Sequence, residues 1–249
     1  MKKILTYLMI EGIILFSACT KEKSDPVTED SRAIDLGLPS GTKWASMNIG
    51  ASKESEIGLY FAWGETTGYK GDPDDGRAFY TDDYKWNISG YTLWYGFNKY
   101  QIPDGSDGQN NNKSCWYDDN GKFIGDGKTK LDDSDDAAIV LWGNGWRMPT
   151  KDDVAELCAN CTSAWETLDG IKGVRMTSKI NGKSIFLPAG GDRGNSGIHW
   201  VGEQGYYWAS TLNSMSTGIA DMLYYTTTDD PYAHYARRFG GRNIRPVCK

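Results

Sequence analysis

The chain has few of the residues that catalysis and metal binding most often use. Two histidines and five cysteines serve 249 residues. There is no second Cys-x-x-Cys beside Cys158-x-x-Cys161, no His-Glu-x-x-His, no Gly-x-Ser-x-Gly and no phosphate-binding glycine loop, so the local signatures of zinc proteases, serine hydrolases and nucleotide enzymes are missing. Glycosidase carboxylates pair in space, not in sequence, and leave no such signature. There is no block of Lys or Arg, and the net charge of −6 argues against nucleic acid, whose phosphates must be neutralised by basic side chains. What the chain has in abundance is 30 Gly, 15 Tyr and 10 Trp. That mixture predicts short strands and long loops, not a helical bundle. With 39% hydrophobic and 24% charged residues the composition is that of an ordinary globular protein.

The first residues read as an address. Lys2 and Lys3 precede an apolar stretch, Ile4 to Ala18, interrupted by Glu11 and too short to cross a membrane comfortably. Phe16-Ser17-Ala18-Cys19 has the form of a bacterial lipobox. Residues 1–18 are therefore expected to be a lipoprotein signal peptide, with Cys19 lipidated as the new N-terminus; the alternative is a plain secretory signal cleaved near Ala18. Cleavage removes Lys2, Lys3 and Glu11 and leaves a net charge of −7. Residues 19–31 are polar, contain Pro26 and read as a tether. The charged residues that follow Cys19 resemble, loosely, those of surface-exported lipoproteins from gut Bacteroidetes.

Cys115, Cys158, Cys161 and Cys248 remain. An exported chain can pair four cysteines in three ways. A zinc site needs about four ligands, and with so few partners available buried thiols or structural bridges are the expectation, with no metal or other cofactor.

Residues 32–249 read as one domain. Thr150-Lys151-Asp152-Asp153 is a capping box with Asp in the last position, and Val154, Leu157, Cys158 and Cys161 continue it as an apolar stripe. A second helix is expected from the Asp132–Asp136 cluster through Leu141, its acid complementing the helix dipole; a calcium site is the competing reading. Val174, Met176, Ser178 and Ile180 alternate as a strand, Asn181-Gly182 predicts a type I′ hairpin turn, and Ser184 to Leu187 returns. Tyr206–Leu212, Ile219–Thr226 and Asn243–Val247 are further strand candidates. Residues 64–128 lack any period and are expected to be a loop-rich insertion packed by its own Trp and Tyr side chains.

Several segments in order then carry a resemblance. They are Ala33-Ile34-Asp35-Leu36-Gly37-Leu38-Pro39-Ser40-Gly41-Thr42-Lys43-Trp44-Ala45, Tyr60-Phe61-Ala62-Trp63-Gly64-Glu65, Asp135-Asp136-Ala137-Ala138 and Trp146-Arg147-Met148-Pro149-Thr150. Ser184 to Gly191, Gly205-Tyr206-Tyr207-Trp208-Ala209-Ser210 and Gly241-Arg242-Asn243-Ile244-Arg245-Pro246-Val247 follow. Together they resemble the Fibrobacter succinogenes major paralogous domain, common in Bacteroidetes lipoproteins. The resemblance implies an α+β, C-type-lectin-like fold of two helices, short antiparallel strands and long loops. That fold is similar to formylglycine-generating enzymes, which bind copper through a late pair of cysteines; here Cys248 is the only late one. The sugar-binding triplets of calcium-dependent C-type lectins, Glu-Pro-Asn or Gln-Pro-Asp with Trp-Asn-Asp, are missing too.

Function is sought in residues 189–249, rich in Tyr, Trp, Ser and Thr and containing His199 and His234. Large aromatic area beside adaptable hydrogen bonding resembles a binding face. Against this, Tyr206, Trp208, Leu223 and Phe239 are expected to fill the core. In retroelement-diversified proteins of the C-type-lectin-like fold the ligand face lies ahead of the closing strand. By position this implies Tyr224, Tyr225, Asp229, Asp230, Tyr232, His234, Tyr235, Arg237 and Arg238, several of them on an irregular stretch, Thr226 to Arg238. The expectation is a non-catalytic outer-membrane lipoprotein that binds a glycan or protein at the cell surface, touches the membrane through its lipid anchor and binds no nucleic acid. The alternative is a cell-envelope or fimbria-associated assembly subunit; a formylglycine-generating-enzyme-like enzyme ranks third.

Overall fold

The computed structural model describes residues 30–71, 77–88, 96–103, 116–143, 145–194 and 196–249. The signal peptide, Cys19, most of the tether and Cys115 lie outside the described residues. Ser31–Lys249 forms one compact unit. Its class is α+β, with small antiparallel sheets and, among the described residues, two α-helices of a turn or more.

The elements are β1 (Ala33–Ile34), β2 (Lys43–Ala45), α1 (Ala137–Trp142), α2 (Lys151–Asn160), β3 (Cys161–Leu168), β4 (Ile171–Ser178), β5 (Ser184–Pro188), β6 (Asp192–Gly194), β7 (Gly197–His199), β8 (Gln204–Leu212), β9 (Ile219–Thr226), β10 (Tyr232–Arg237) and β11 (Val247–Cys248). They form sheets ordered β1-β2-β11, β10-β9-β8 and β3-β4-β5, with β6 and β7 as a separate hairpin.

Both helices begin as their sequences dictate. Thr150 accepts from the Asp153 N–H at 3.2 Å while the Asp153 carboxylate accepts from the Thr150 N–H at 2.7 Å, satisfying two N-terminal amides reciprocally. Arg147 pairs with the same carboxylate at 2.7 Å. Burial raises the Asp153 carboxyl, but these hydrogen bonds and the guanidinium outweigh it and hold the group at about 2. At α1, Asp136 accepts from the N–H groups of Ala138 and Ile139 at 2.9 and 3.2 Å and from Met148 at 2.9 Å. Its neighbours are engaged as well: Asp135 takes Lys85, Lys99 and Tyr100, and Asp132 takes Lys99 and Lys128. The Asp cluster thus starts α1 and ties it to residues 85–100.

The central sheet β10-β9-β8 is packed on both faces. Tyr207, Ala209, Leu223 and Tyr225 meet Val154 and Leu157 of α2, with Trp44, Met176 and Leu187 beyond. Tyr206, Trp208, Ala220 and Met222 of the opposite face meet Phe61, Trp63, Phe79 and Trp86. Gly205 is required where it pairs with Tyr225, because a Cβ there would lie 2.1 Å from the Tyr225 ring. Tyr206, Trp208, Leu223 and Phe239 are buried, as expected of core residues.

Several expectations are corrected. The segment after Asn160 passes without a turn into β3, so Cys161 opens a strand and does not extend the helical stripe. The β4–β5 connection is not a two-residue turn: Gly182 alone of the Asn181-Gly182 pair has positive φ, and its N–H bonds the Ser178 carbonyl at 3.1 Å in a wider loop that leaves Ile180 exposed. Of Asn243–Val247 only Val247 is in strand, with Cys248. Asn243 is instead a strut whose side-chain amide donates to the Ile57 and Leu59 carbonyls at 3.1 and 3.0 Å. Thr226 to Arg238 is not irregular; after a turn it returns as β10, paired with β9 from Tyr232↔Tyr224 to Arg237↔Ile219. Finally, the described parts of residues 64–128 pack on their own aromatic side chains, as Tyr84 does on Trp86 and Phe97 and Trp86 on Tyr100, but not as a separate cluster. Phe79, Tyr84, Trp86, Phe97 and Tyr100 join the main core, and the last four help to enclose Arg238.

Candidate functional site

Trp200, Tyr232 and His234 gather on the side of the central sheet that carries Tyr206, and Tyr235, of the opposite pleat, comes within ring contact of His234 at the sheet edge. Register dictates it: Tyr206, Tyr224 and Tyr232 are direct partners across β8, β9 and β10, so all three stand on one face. Ring centroids lie 4.9 Å apart for Tyr206–Tyr224 and 5.6 Å for Tyr224–Tyr232. His234 sits 5.5 Å from both Tyr224 and Tyr232 and 4.9 Å from Tyr235. At the other end Trp200 is 6.4 Å from Tyr206 and 5.6 Å from His199. The result is a continuous ladder from His199 to Tyr235. Its ends are open, with Trp200 48%, Tyr232 41% and Tyr235 40% exposed, while its middle is fixed. The Gln204 side-chain carbonyl accepts from the hydroxyls of Tyr206 and, at 3.2 Å, Tyr224. Burial, then the nearby Tyr224 and Asp192, push the Tyr206 phenol well above its usual range, so it stays neutral.

The nine residues implied by position divide sharply. Tyr224, Tyr232, His234 and Tyr235 are brought together in the ladder. Asp229 and Asp230 hold the adjoining turn: Asp229 accepts from the Thr226 hydroxyl at 2.8 Å, and Asp230 accepts from Ser163 of β3 at 2.5 Å. Arg237 is exposed at the end of β10. Two assignments are corrected, because the side chains of Tyr225 and Arg238 are fully buried. Tyr225 points into the α2 side, where its hydroxyl donates to the Leu187 carbonyl at 2.5 Å. Arg238 donates to the Tyr84 hydroxyl at 3.1 Å and to the carbonyls of Thr217 and Lys99, both at 3.0 Å. Its guanidinium lies 4.8 Å from the ring centroids of Trp63 and Phe97 and within 6 Å of Tyr84, Trp86 and Tyr100, within the range of cation–π attraction.

Trp200 and Gln204 belong to the site although sequence reasoning did not select them. The signal for Trp200 was weak: a large aromatic between His199 and Val201 in no periodic segment. Its backbone is left-handed, φ +60°, a conformation costing a non-glycine residue about 1 kcal/mol, and it aims the indole outward.

Among the described residues no three His, Cys, Asp or Glu side chains are grouped to hold a metal ion, and no helix is long and apolar enough to cross a membrane. No known protein family, curated protein or solved structure matches the chain.

Proposed function

We propose that this chain is a surface-anchored, non-catalytic binding lipoprotein whose domain has a C-type-lectin-like fold and whose ladder takes a glycan or protein ligand. Lipidation at Cys19 supplies the anchor in this reading. The observation that carries it is the row of exposed Trp200, Tyr232 and Tyr235 and half-buried Tyr224 and His234. Its rings are held by register and by Gln204, so little side-chain entropy is lost on contact. Flat rings with polar edges suit a sugar ring, whose faces are apolar and whose rim bears hydroxyls, and equally the apolar side chains of a protein surface.

The test is an array of glycans and mucin-type proteins probed with the purified chain, with and without chelator. Saturable binding to one class that survives chelation, and that Tyr232→Ala with His234→Ala abolishes at unchanged melting temperature, supports the reading. Binding that persists in the double variant removes the ladder from it. A second reading, an envelope or fimbrial assembly subunit, is favoured by the position of β10 at the edge of its sheet, where a partner strand can add. Co-purification with an envelope partner, lost when proline replaces Ala233, would support that alternative.

A further inference from the structure

Away from the ladder, a cleft of about 390 Å³ opens between the end of α2, the β3–β4 hairpin and the turn after β9. Its walls include Cys158, Cys161, Met176, Ser163, Lys179 and Asp230. The arrangement of sulfurs follows from the chain path. Cys158 lies in the last turn of α2, and Cys161 opens β3 directly after it. On the hairpin Cys161 pairs with Ser178 and Ser163 with Met176. Cys161 and Met176 are therefore diagonal neighbours on one face, about 7 Å apart at Cβ. Both thiols are free.

These thiols are poor nucleophiles. Burial pushes Cys158 up to about 12, with the neighbouring Cys161 adding to the effect, and Cys161 up to about 11 against the opposing pull of Lys179. Reactive and disulfide-exchanging cysteines have depressed values. What the cleft does bring together is two cysteine sulfurs and a thioether, a soft donor set that selects Cu(I) over harder ions. Lys179 is held nearby, its ammonium donating to the Ala159 carbonyl at 2.9 Å.

We propose that Cys158 and Cys161, with Met176 as third donor, bind a soft monovalent ion of the Cu(I) type. Binding exchanges two thiol protons for one Cu⁺ and transfers no electron. The bis-thiolate complex carries one negative charge, and the Lys179 ammonium balances it. The sequence by itself pointed away from a metal here, because a lone Cys-x-x-Cys offers two ligands. Met176 becomes the third only through hairpin pairing. The site is independent of the ladder and of the function proposed for it.

The reduced full chain, held anaerobically, is titrated with Cu(I) in competition with the colorimetric chelator bicinchoninate. The expected result is one equivalent withheld from the chelator by the wild type and lost in Cys158→Ser and in Cys161→Ser. Met176→Leu, which nearly conserves volume, and Lys179→Ala keep both thiols and weaken binding about 10-fold or more. Apparent affinity rises up to about 100-fold per pH unit in the neutral range, because two protons leave. X-ray absorption on the loaded protein shows sulfur neighbours only. Melting curves without metal establish that the serine variants are folded; if they are not, Met176→Leu and Lys179→Ala carry the test. The proposal is overturned if no copper is withheld, if the equivalent survives in both serine variants, if its loss follows Cys115→Ser or Cys248→Ser instead, or if equimolar Zn(II) displaces it.

Discussion

Two groups of aromatic rings are held by neighbouring residues of one strand and its end, and they have opposite fates. Arg238 sits inside a box of Trp63, Tyr84, Trp86, Phe97 and Tyr100 and is fully buried. A few residues earlier Tyr232 and Tyr235 stand open on β10, with His234 half-buried between them. Both regions are rich in Tyr and Trp, so composition does not separate them. What separates them is whether another segment arrives to cover the rings. Tyr84, Trp86, Phe97 and Tyr100 fold over Arg238; among the described residues nothing covers the outer ladder. A buried cation without a carboxylate partner requires full hydrogen bonding in place of charge pairing, and Arg238 obtains it from a hydroxyl and backbone carbonyls. The box is thus a clamp that ties the end of β10 to Tyr84, Lys99 and Tyr100.

The sharpest way to break this contrast is to remove the clamp. Arg238→Ala leaves a cavity and several buried acceptors unpaired, and is expected to cost about 4 kcal/mol in urea unfolding. Arg238→Lys should recover little, since a single ammonium cannot replace the planar fork. Arg237→Ala, one residue away and exposed, should change stability by less than about 0.5 kcal/mol. An equal cost for both arginines would refute the division drawn here.

A second buried arrangement sharpens the electrostatic side. Asp153 is held at about 2 by Arg147 and Thr150. A carboxyl whose folded value is depressed contributes stability above its unfolded value near 3.8, and loses it as pH falls through about 2. Asp153→Asn is therefore expected to cost about 2 kcal/mol at pH 7, with the difference from wild type closing as the solution is acidified. Arg238, which forms no ion pair among the described residues and feels a carboxylate only at longer range, that of Asp126, should change its contribution much less than Asp153 does between pH 7 and pH 3; chemical denaturation at the two values tests both statements.

Smaller effects separate the two faces of the sheet. Tyr225→Phe removes the hydroxyl bonded to the Leu187 carbonyl and should cost about 1–2 kcal/mol while leaving ligand binding intact. Tyr232→Ala should do the reverse, abolishing binding with little change in melting temperature. Ser163→Ala, also a small effect, frees Asp230 at the turn. It should cost less than about 1 kcal/mol and appear mainly as faster amide exchange in residues 227–231.

Much of the local structure was legible. The Thr150–Asp153 box, the acidic start of α1 and the alternation of β4 are short-range patterns, and each reappears in the structure, as do strands at Tyr206–Leu212 and Ile219–Thr226. What failed depended on distant partners. Tyr232 to Arg237 carries no apolar alternation because it is an edge strand with a half-exposed face, so it looked irregular until β9 supplied its ladder of hydrogen bonds. Tyr225 and Arg238 were candidates only by their position ahead of the closing strand. Their burial was set by distant partners, Leu187 in one case and Tyr84 and Lys99 in the other.

By itself, then, the sequence determined the helix caps, the strand periods, the α+β class and the aromatic wealth of the C-terminal part, because each rests on backbone geometry and side-chain chemistry within a few residues. Only the tertiary structure decided which aromatics face water, which arginine is walled in, and that Met176 lies beside Cys161. Those outcomes depend on segments distant in the chain, and no local pattern encodes which surface a distant segment will cover.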